Sequence, residues 1–200
     1  MKFGFIGAGV VAQTLAKHLL LHGHEVMLSN SRGPETLSEL VSSLGAGAKS
    51  GTPSEAAEQD YVILSVAWSQ VPAALSMVPD WTGRVLIDAT NRFDNMDSLG
   101  DLSEVNSSEI VAQYAPGARV IKAFNTVPMQ WIQDYTEKKP KTVLFVSGDD
   151  SPTKQVFQEI WEGIGFACID LGPLSQGGSL QQIGGPLAGL NLNFLEKFCV

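Results

Sequence analysis

Glycine at positions 7 and 9 and alanine at 12, in the run Gly7-Ala8-Gly9-Val10-Val11-Ala12, have the spacing that lets a backbone approach a pyrophosphate. Gly7 permits the tight turn out of a strand. Gly9 keeps side chains away from the diphosphate, and Ala12 lets the following helix lie close on a sheet. The anion would then meet the unpaired N–H groups and positive dipole end of that helix. Further on stands Asn30-Ser31-Arg32-Gly33-Pro34. An acidic residue about twenty residues after the glycines accepts from the ribose 2′-OH of NAD, and its charge would repel a 2′-phosphate. Here the neutral Asn30 is followed by a hydroxyl, Ser31, and a planar guanidinium, Arg32, which suit a phosphate. The spacing predicts NADP as the dinucleotide.

Positioning such a site requires strands and helices in alternation, and the hydrophobic pattern supplies them nearly to the end. Strands are predicted at 2–6, 25–29, 48–50, 61–66, 85–88, 119–123, 142–146 and 167–170. Helices are predicted at about 10–21, stopped by Gly23, and at 34–45, begun by Pro34. Others are expected from Thr52-Pro53-Ser54-Glu55, around 108–114, near 128–135, and over about 153–164. The fold class is therefore α/β: a Rossmann-type, doubly wound, mostly parallel sheet with helices on both faces. A glycine-rich, then apolar, C-terminal extension follows from Gly172. No internal repeat or long linker divides the chain, so residues 1–200 read as one domain.

Ligands of such sheets sit over the carboxyl ends of the strands, at the switch in strand order. Val66, Ala67 and Trp68 after the fourth strand should face the ribose and nicotinamide. Asn91, Asn125 and Thr126 offer uncharged donors and acceptors around the ring, or serve as turn formers and caps. Ala123 ends the strand before Asn125.

With 200 residues, 44% hydrophobic and 17% charged, the chain is of ordinary globular composition. A net charge of -8 argues against nucleic acid or an anionic membrane as partner, and makes the local cation Arg32 more informative. No apolar run is long enough to span a bilayer. The start, Met1-Lys2 and apolar residues, is broken by Gly4, Gly7 and Gly9 and fits a first strand better than a signal peptide. Cys168 and Cys199 suggest no disulfide framework, consistent with a cytoplasmic location.

The segments Ile6-Gly7-Ala8-Gly9-Val10-Val11, Gly23-His24-Glu25-Val26, Ser29-Asn30-Ser31-Arg32-Gly33-Pro34, Ile87-Asp88-Ala89-Thr90-Asn91 and Val120-Ile121-Lys122-Ala123-Phe124-Asn125-Thr126 together resemble the NADPH-dependent coenzyme F420 reductase family. That family is itself similar to the oxidoreductase domain of the STEAP ferric reductases. The resemblance covers most of the chain, fading over 93–108 and after Gly172. It implies hydride transfer between NADP(H) and a deazaflavin (F420) or flavin ring, usually in a homodimer. It assigns the pyrophosphate to Gly7, Ala8, Gly9, Val10 and Val11, and the 2′-phosphate to Ser31 and Arg32. Val66, Ala67 and Trp68 fall to the nicotinamide half. Ala67 stands where relatives often carry proline.

Hydride transfer between planar rings asks for orientation and shielding more than for protein acids and bases. No catalytic dyad or triad is evident, and no catalytic residue is expected. His18 and His22 share a helical face at a spacing that could ligate a metal, but lie away from the strand ends. They read as a solvated helix end, with no metal site. Asp88 is either an ionised acceptor near the crevice or a strand-end cap. Three other readings stay open: a reductase of a small imine or hydroxy acid, an NADP-sensing module without turnover, and one half of an electron-transfer pair. The course of residues 187–198 relative to the nicotinamide face should separate them.

Overall fold

The computed structural model describes residues 1–93, 105–133 and 140–195. Within them a nine-stranded sheet forms from β1 (Lys2–Ile6), β2 (Glu25–Ser29), β3 (Ala48–Ser50), β4 (Tyr61–Leu64), β5 (Val85–Asp88), β6 (Arg119–Ala123), β7 (Lys141–Gly148), β8 (Ala167–Asp170) and β9 (Asn193–Phe194). Their order is β3-β2-β1-β4-β5-β6-β7-β8, with β9 paired to β7. The chain winds outward from β1 through β2 and β3, then crosses back and winds the other way from β4. The switch in strand order therefore lies between β1 and β4. This is the doubly wound, Rossmann-type sheet that the alternating pattern predicts.

Register decides what the carboxyl ends present. Ile6 lies opposite both Ser29 and Leu64, Leu64 opposite Asp88, and Asp88 opposite Lys122. Five parallel strands thus end level, and the residues that follow them share one rim.

Helix α1 (Val10–Leu21) buries Ala12, Leu15, Ala16 and Leu19 at the 3.6-residue period, against Phe3, Phe5, Val26 and Leu28 of the sheet. Each fully buried leucine contributes about 1.5–3 kcal/mol over its exposed state. The helix stops where the sequence predicts, with Gly23 at φ 77°. Helix α2 (Ser38–Leu44) is preceded by a 3₁₀ turn, Pro34–Leu37, so the predicted 34–45 helix is split. Helix α3 (Pro53–Ala56) carries a full capping box between Thr52 and Glu55. The opposite face is covered by α4 (Val71–Ser76) and α5 (Ser107–Tyr114) with Trp81, Leu86 and Val120. The sequence reading left α4 out: Val71-Pro72-Ala73-Ala74-Leu75-Ser76 is too short to show helical periodicity on its own. Helix α6 (Ser151–Ile164) returns to the first face, burying Phe157, Trp161 and Ile164.

β7 runs antiparallel to β6 and is eight residues long, extending beyond the predicted 142–146. This reversal, with the antiparallel pairing of β9 on β7, makes the sheet mostly rather than wholly parallel. Of the helix expected near 128–135, the described part is a single 3₁₀ turn, Met129–Trp131. Residues 134 and 135 lie outside the described residues, as does Cys199.

His18 departs from the solvated helix end expected of it. It is 3% exposed, its Nε2 lies 2.5 Å from the Ile132 carbonyl, and its ring meets Phe166 edge-on. Burial holds the imidazole below its ordinary pKa, against the raising effect of the Ile132 contact. The neutral ring therefore donates from Nε2 to Ile132. The segment after β6 supplies the acceptor, which helical periodicity alone could not reveal.

The C-terminal segment folds back onto the sheet. A π-helical turn, Leu174–Gly178, leads into α7 (Ser179–Gln181). A side chain on Gly177 would begin 2.5 Å from Ser147 Cβ, and one on Gly178 2.6 Å from Asn106 Oδ1. The glycine pair is what permits this close approach. Farther on, Val143 donates to the Leu192 carbonyl at 2.9 Å, just before β9 pairs with β7.

Candidate functional site

The glycine turn is built by the strands on either side of β1. Gly7 donates to the Ser29 carbonyl at 3.0 Å, and Ser65 donates to the Ile6 carbonyl at 2.9 Å. Gly7 has φ 110°, and a Cβ there would stand 2.3 Å from the Ser65 carbonyl oxygen. Only glycine satisfies both conditions. Gln13 Nε2 donates to the Ala8 carbonyl at 2.9 Å and fixes the exit of the turn. Gly9 and Val10 are exposed, with open space beyond Gly9, while Ala12 is fully buried against the sheet.

The helices differ at their amino ends. Thr52, Asn106 and Asp150 cap α3, α5 and α6 with side-chain oxygens. Gly9, at the N-cap of α1, supplies none, and the first turn of α1 carries no acidic residue. A diphosphate fits that opening: uncapped N–H donors, a positive dipole end and no side chain in the way.

On one side of the turn lies a slot of about 130 Å³ lined by Ile6, Gly7, Asn30, Ser31, Pro53, Val66, Gln70, Ala73, Ala74 and Met77. Asn30 shapes its rim. Its Oδ1 accepts from the Arg32 N–H at 2.8 Å and its Nδ2 donates to Thr36 Oγ1 at 2.9 Å. The Asn30 amide is thus engaged in folding the loop that displays Ser31 and Arg32, both exposed. Ala73 and Met77 are additions that sequence reading missed, because they depend on α4.

On the other side of the turn is a cleft of about 560 Å³ lined by Gly9, Val10, Val11, Ser65, Val66, Ala67, Trp68, Ser69, Ala89, Thr90, Asn91 and Phe93. Val66 borders both cavities. Asn91 Nδ2 donates to the Asn125 carbonyl at 2.9 Å, and Asn125 Nδ2 donates to Asn91 Oδ1 at 3.1 Å. Asn125 is 9% exposed and also donates to the Gln181 carbonyl at 2.8 Å, so it meets the cleft through Asn91. Ala123 belongs to the hydrophobic core, and Thr126, also buried, accepts from Gly189 through its carbonyl. The Arg92 guanidinium lies 6.0 Å from the centre of the Trp68 ring, a cation–π distance at the cleft mouth.

Behind this cleft is an ion pair that sequence reading did not find. Lys122 Nζ and Asp88 Oδ2 are 3.0 Å apart, and neither side chain is exposed to solvent. Asp88 also accepts from the Thr90 N–H at 2.9 Å, the Thr90 hydroxyl at 2.7 Å and the Ser108 hydroxyl at 2.8 Å. Asp88 is therefore a strand-end cap that also pairs with Lys122. Burial pushes the Lys122 ammonium below its ordinary pKa, while Asp88 pulls the other way. A lone lysine inside the apolar run Val120-Ile121-Lys122-Ala123-Phe124 was the available signal. Gln181, fully buried, donates from Nε2 to Ser147 Oγ at 3.1 Å and gave no signal at all.

A larger groove, about 830 Å³, runs along β8 between Lys141, Cys168, Phe166 and Phe194, at the far edge of the sheet from the glycine turn. Burial raises the Cys168 thiol to about 12, which leaves it protonated and unreactive. No helix of the described residues is long and apolar enough to cross a membrane.

Comparison with known proteins agrees with this geometry. The model of the family described as NADP oxidoreductase, coenzyme F420-dependent, matches residues 2–92, from β1 to the edge of the cleft. A hypothetical protein of Sinorhizobium meliloti is 35% identical, with 98% of this chain and 96% of that one covered and a TM-score of 0.87. A protein of Arthrobacter sp. FB24 with the provisional name F420-dependent NADP-reductase is 25% identical, covers 88% and 86% of the two chains, and has a TM-score of 0.73. An imine reductase of Aspergillus terreus, solved with NADPH4 and dibenz[c,e]azepine, shares the fold at 20% identity and a TM-score of 0.64, covering 90% of this chain and 57% of that one. A level rim of strand ends, an uncapped α1 behind Gly7 and Gly9, and these likenesses lead to one conclusion: the chain belongs with the NADP-dependent oxidoreductases, its residues 2–92 matching the family described as NADP oxidoreductase, coenzyme F420-dependent.

Proposed function

We propose that this NADP-dependent oxidoreductase transfers hydride between NADP(H) and a planar acceptor of the deazaflavin (F420) or flavin type. The observation that carries this reading is the chemistry of the cleft wall. Among the described residues lining it there is no carboxylate, imidazole, thiol, phenol, amine or guanidinium. Reduction of an imine or a ketone needs a proton delivered by a positioned acid. Hydride exchange between delocalised rings needs alignment and exclusion of water instead. An uncharged, largely apolar wall favours the second.

In this reading the backbone of Gly7, Ala8, Gly9, Val10 and Val11 holds the pyrophosphate, and the slot beside Asn30 and Gln70 takes the adenosine. Ser31 and Arg32 grip the 2′-phosphate, with Asn30 holding their loop in shape. Val66, Ala67 and Trp68 flank the nicotinamide, which supplies the hydride when bound. Asn91 meets its polar edge, backed by Asn125. Ala123 acts only by fixing where the chain turns toward Asn125.

No described residue of the C-terminal segment lines this cleft. Residues 172–200 belong, in our reading, to the same domain and serve the acceptor side by backing Asn125, or contribute to a homodimer contact. The open cleft favours a ring acceptor over a closed sensor. The unpaired Cys168 accords with a cytoplasmic location. The decisive experiment is an anaerobic assay of NADPH oxidation with F420, FMN, FAD and ferric chelates offered separately. Turnover with F420 or a flavin supports the proposal. Turnover only with small imines or carbonyl compounds would replace it.

A further inference from the structure

Asp88, the last residue of β5, lies in register with Lys122, the last but one of β6, where the chain leaves the sheet toward Asn91 on one side and Asn125 on the other. The Lys122 ammonium donates to Asp88 Oδ2 at 3.0 Å and to the Thr90 carbonyl at 2.5 Å. Asp88 Oδ1 holds the same residue from its other side, through the Thr90 N–H and hydroxyl. Thr90 is thereby gripped at three backbone and side-chain atoms, and the next residue is Asn91. A single-residue rotation there would swing the Asn91 amide out of the cleft.

The partner loop is equally constrained. Phe124 is the one non-glycine with positive φ among the described residues, at 67°. Its ring is seated 4.6 Å from Trp161 and 5.6 Å from Phe157, centre to centre. A phenylalanine in that conformation is strained and persists only where its surroundings hold it. The outcome is the reciprocal Asn91–Asn125 amide pair, with both partners locked from behind. A buried ion pair is not a strong source of stability, because desolvation offsets attraction. Its worth here is directional.

We infer that Lys122, acting with Asp88, is a positioning residue for the nicotinamide side of the site: it sets the exit of the 88–91 loop so that the Asn91–Asn125 pair meets the ring. The inference rests on the reading of the Gly9-to-Asn91 cleft as the nicotinamide half. Lys122 itself does not line that cleft and makes no contact with a ring there.

The test compares two ligands on the full-length protein: NADP⁺, and 2′-phosphoadenosine 5′-diphosphoribose, which lacks the nicotinamide. The Asp88→Asn, Lys122→Met double variant removes both charges together. It should bind the ring-less probe within about two-fold of the parent, yet bind NADP⁺ about ten-fold more weakly. A folded double variant whose affinities for the two ligands change by the same factor, or not at all, overturns the inference. Ser108→Ala loosens only one bond to Asp88 and keeps the test decisive if the double variant does not fold. It should lower the preference for NADP⁺ over the probe about two- to three-fold, and an unchanged preference overturns the inference. Parent protein that binds both ligands equally would instead refute the nicotinamide reading of the cleft, which the parent measurement shows by itself.

Discussion

The turn at residues 7–9 and the polar cluster around Lys122 lie at the same level of one sheet, but they are made in opposite ways. The turn is contiguous: Gly7, Gly9 and Ala12 each have a steric duty that can be stated before any fold is known. The cluster joins Asp88, Thr90, Ser108 and Lys122 from three separated stretches, with Asn125 and Gln181 around it. In the proposed reading, the first region shows how little sequence a phosphate cradle needs, because backbone N–H groups would do the binding. The second shows that holding a loop at a chosen angle takes side chains that meet only when β5 and β6 are adjacent.

The sharpest way to break that contrast is at Gly7. Gly7→Ala places a Cβ 2.3 Å from the Ser65 carbonyl oxygen at φ 110°. Strain and clash together should cost about 4 kcal/mol in urea unfolding, with NADPH binding lost from a fluorescence titration. Retained binding would mean that the turn is not the cradle. In the second region, Lys122→Met alone leaves the Asp88 carboxylate buried without its cation. A loss of about 3–5 kcal/mol is expected in the same unfolding experiment, larger than that of the double variant.

The next effect is smaller and local to the first region. Arg32→Ala should weaken NADPH about 10- to 100-fold while NADH changes less than about two-fold, as one charge-assisted phosphate contact is worth roughly 1.5–3 kcal/mol. Equal losses for both coenzymes would remove the 2′-phosphate assignment. Asn30→Ala should weaken NADPH only about three-fold, through a looser Ser31-Arg32 loop and not through a lost ligand contact. A loss as large as that of Arg32→Ala would place Asn30 itself on the phosphate.

His18 supplies a pH-dependent test outside both regions. Its folded pKa lies below the ordinary 6.5, so on acidification the unfolded chain takes up the proton first. Its contribution to stability is whole above about pH 6.5 and declines as the pH falls through that value toward the lower folded pKa. Urea midpoints between about pH 7.5 and 5 should show this decline, at no more than about 1.4 kcal/mol per pH unit, and His18→Gln should flatten it. An equal slope in the variant would assign the acid sensitivity elsewhere.

Much of the architecture could be read in the chain because its signals are local. The run from Lys2 to Ala12, the stop at Gly23 and the capping box at Thr52 each depend on a few neighbouring residues. The expectation of NADP over NAD follows from charge alone at positions 30–32. Helix α4 escaped because six residues are too few for a period to declare itself. The reversal of β7 escaped because alternation and apolar content are the same in either direction.

From the order of its residues alone, this protein is committed to a glycine turn between strand and helix, to a neutral-then-cationic loop beside it, and to strands alternating with helices. Backbone conformation and charge are local properties, so neighbours in sequence are enough to specify them. Tertiary structure alone decided that Lys122 meets Asp88, that His18 is sealed by Ile132, and that Gln181 from the C-terminal segment backs Asn125. Those contacts join residues separated by 34, 114 and 56 positions. Their existence depends on which strands lie side by side, and that is set by the whole core packing at once.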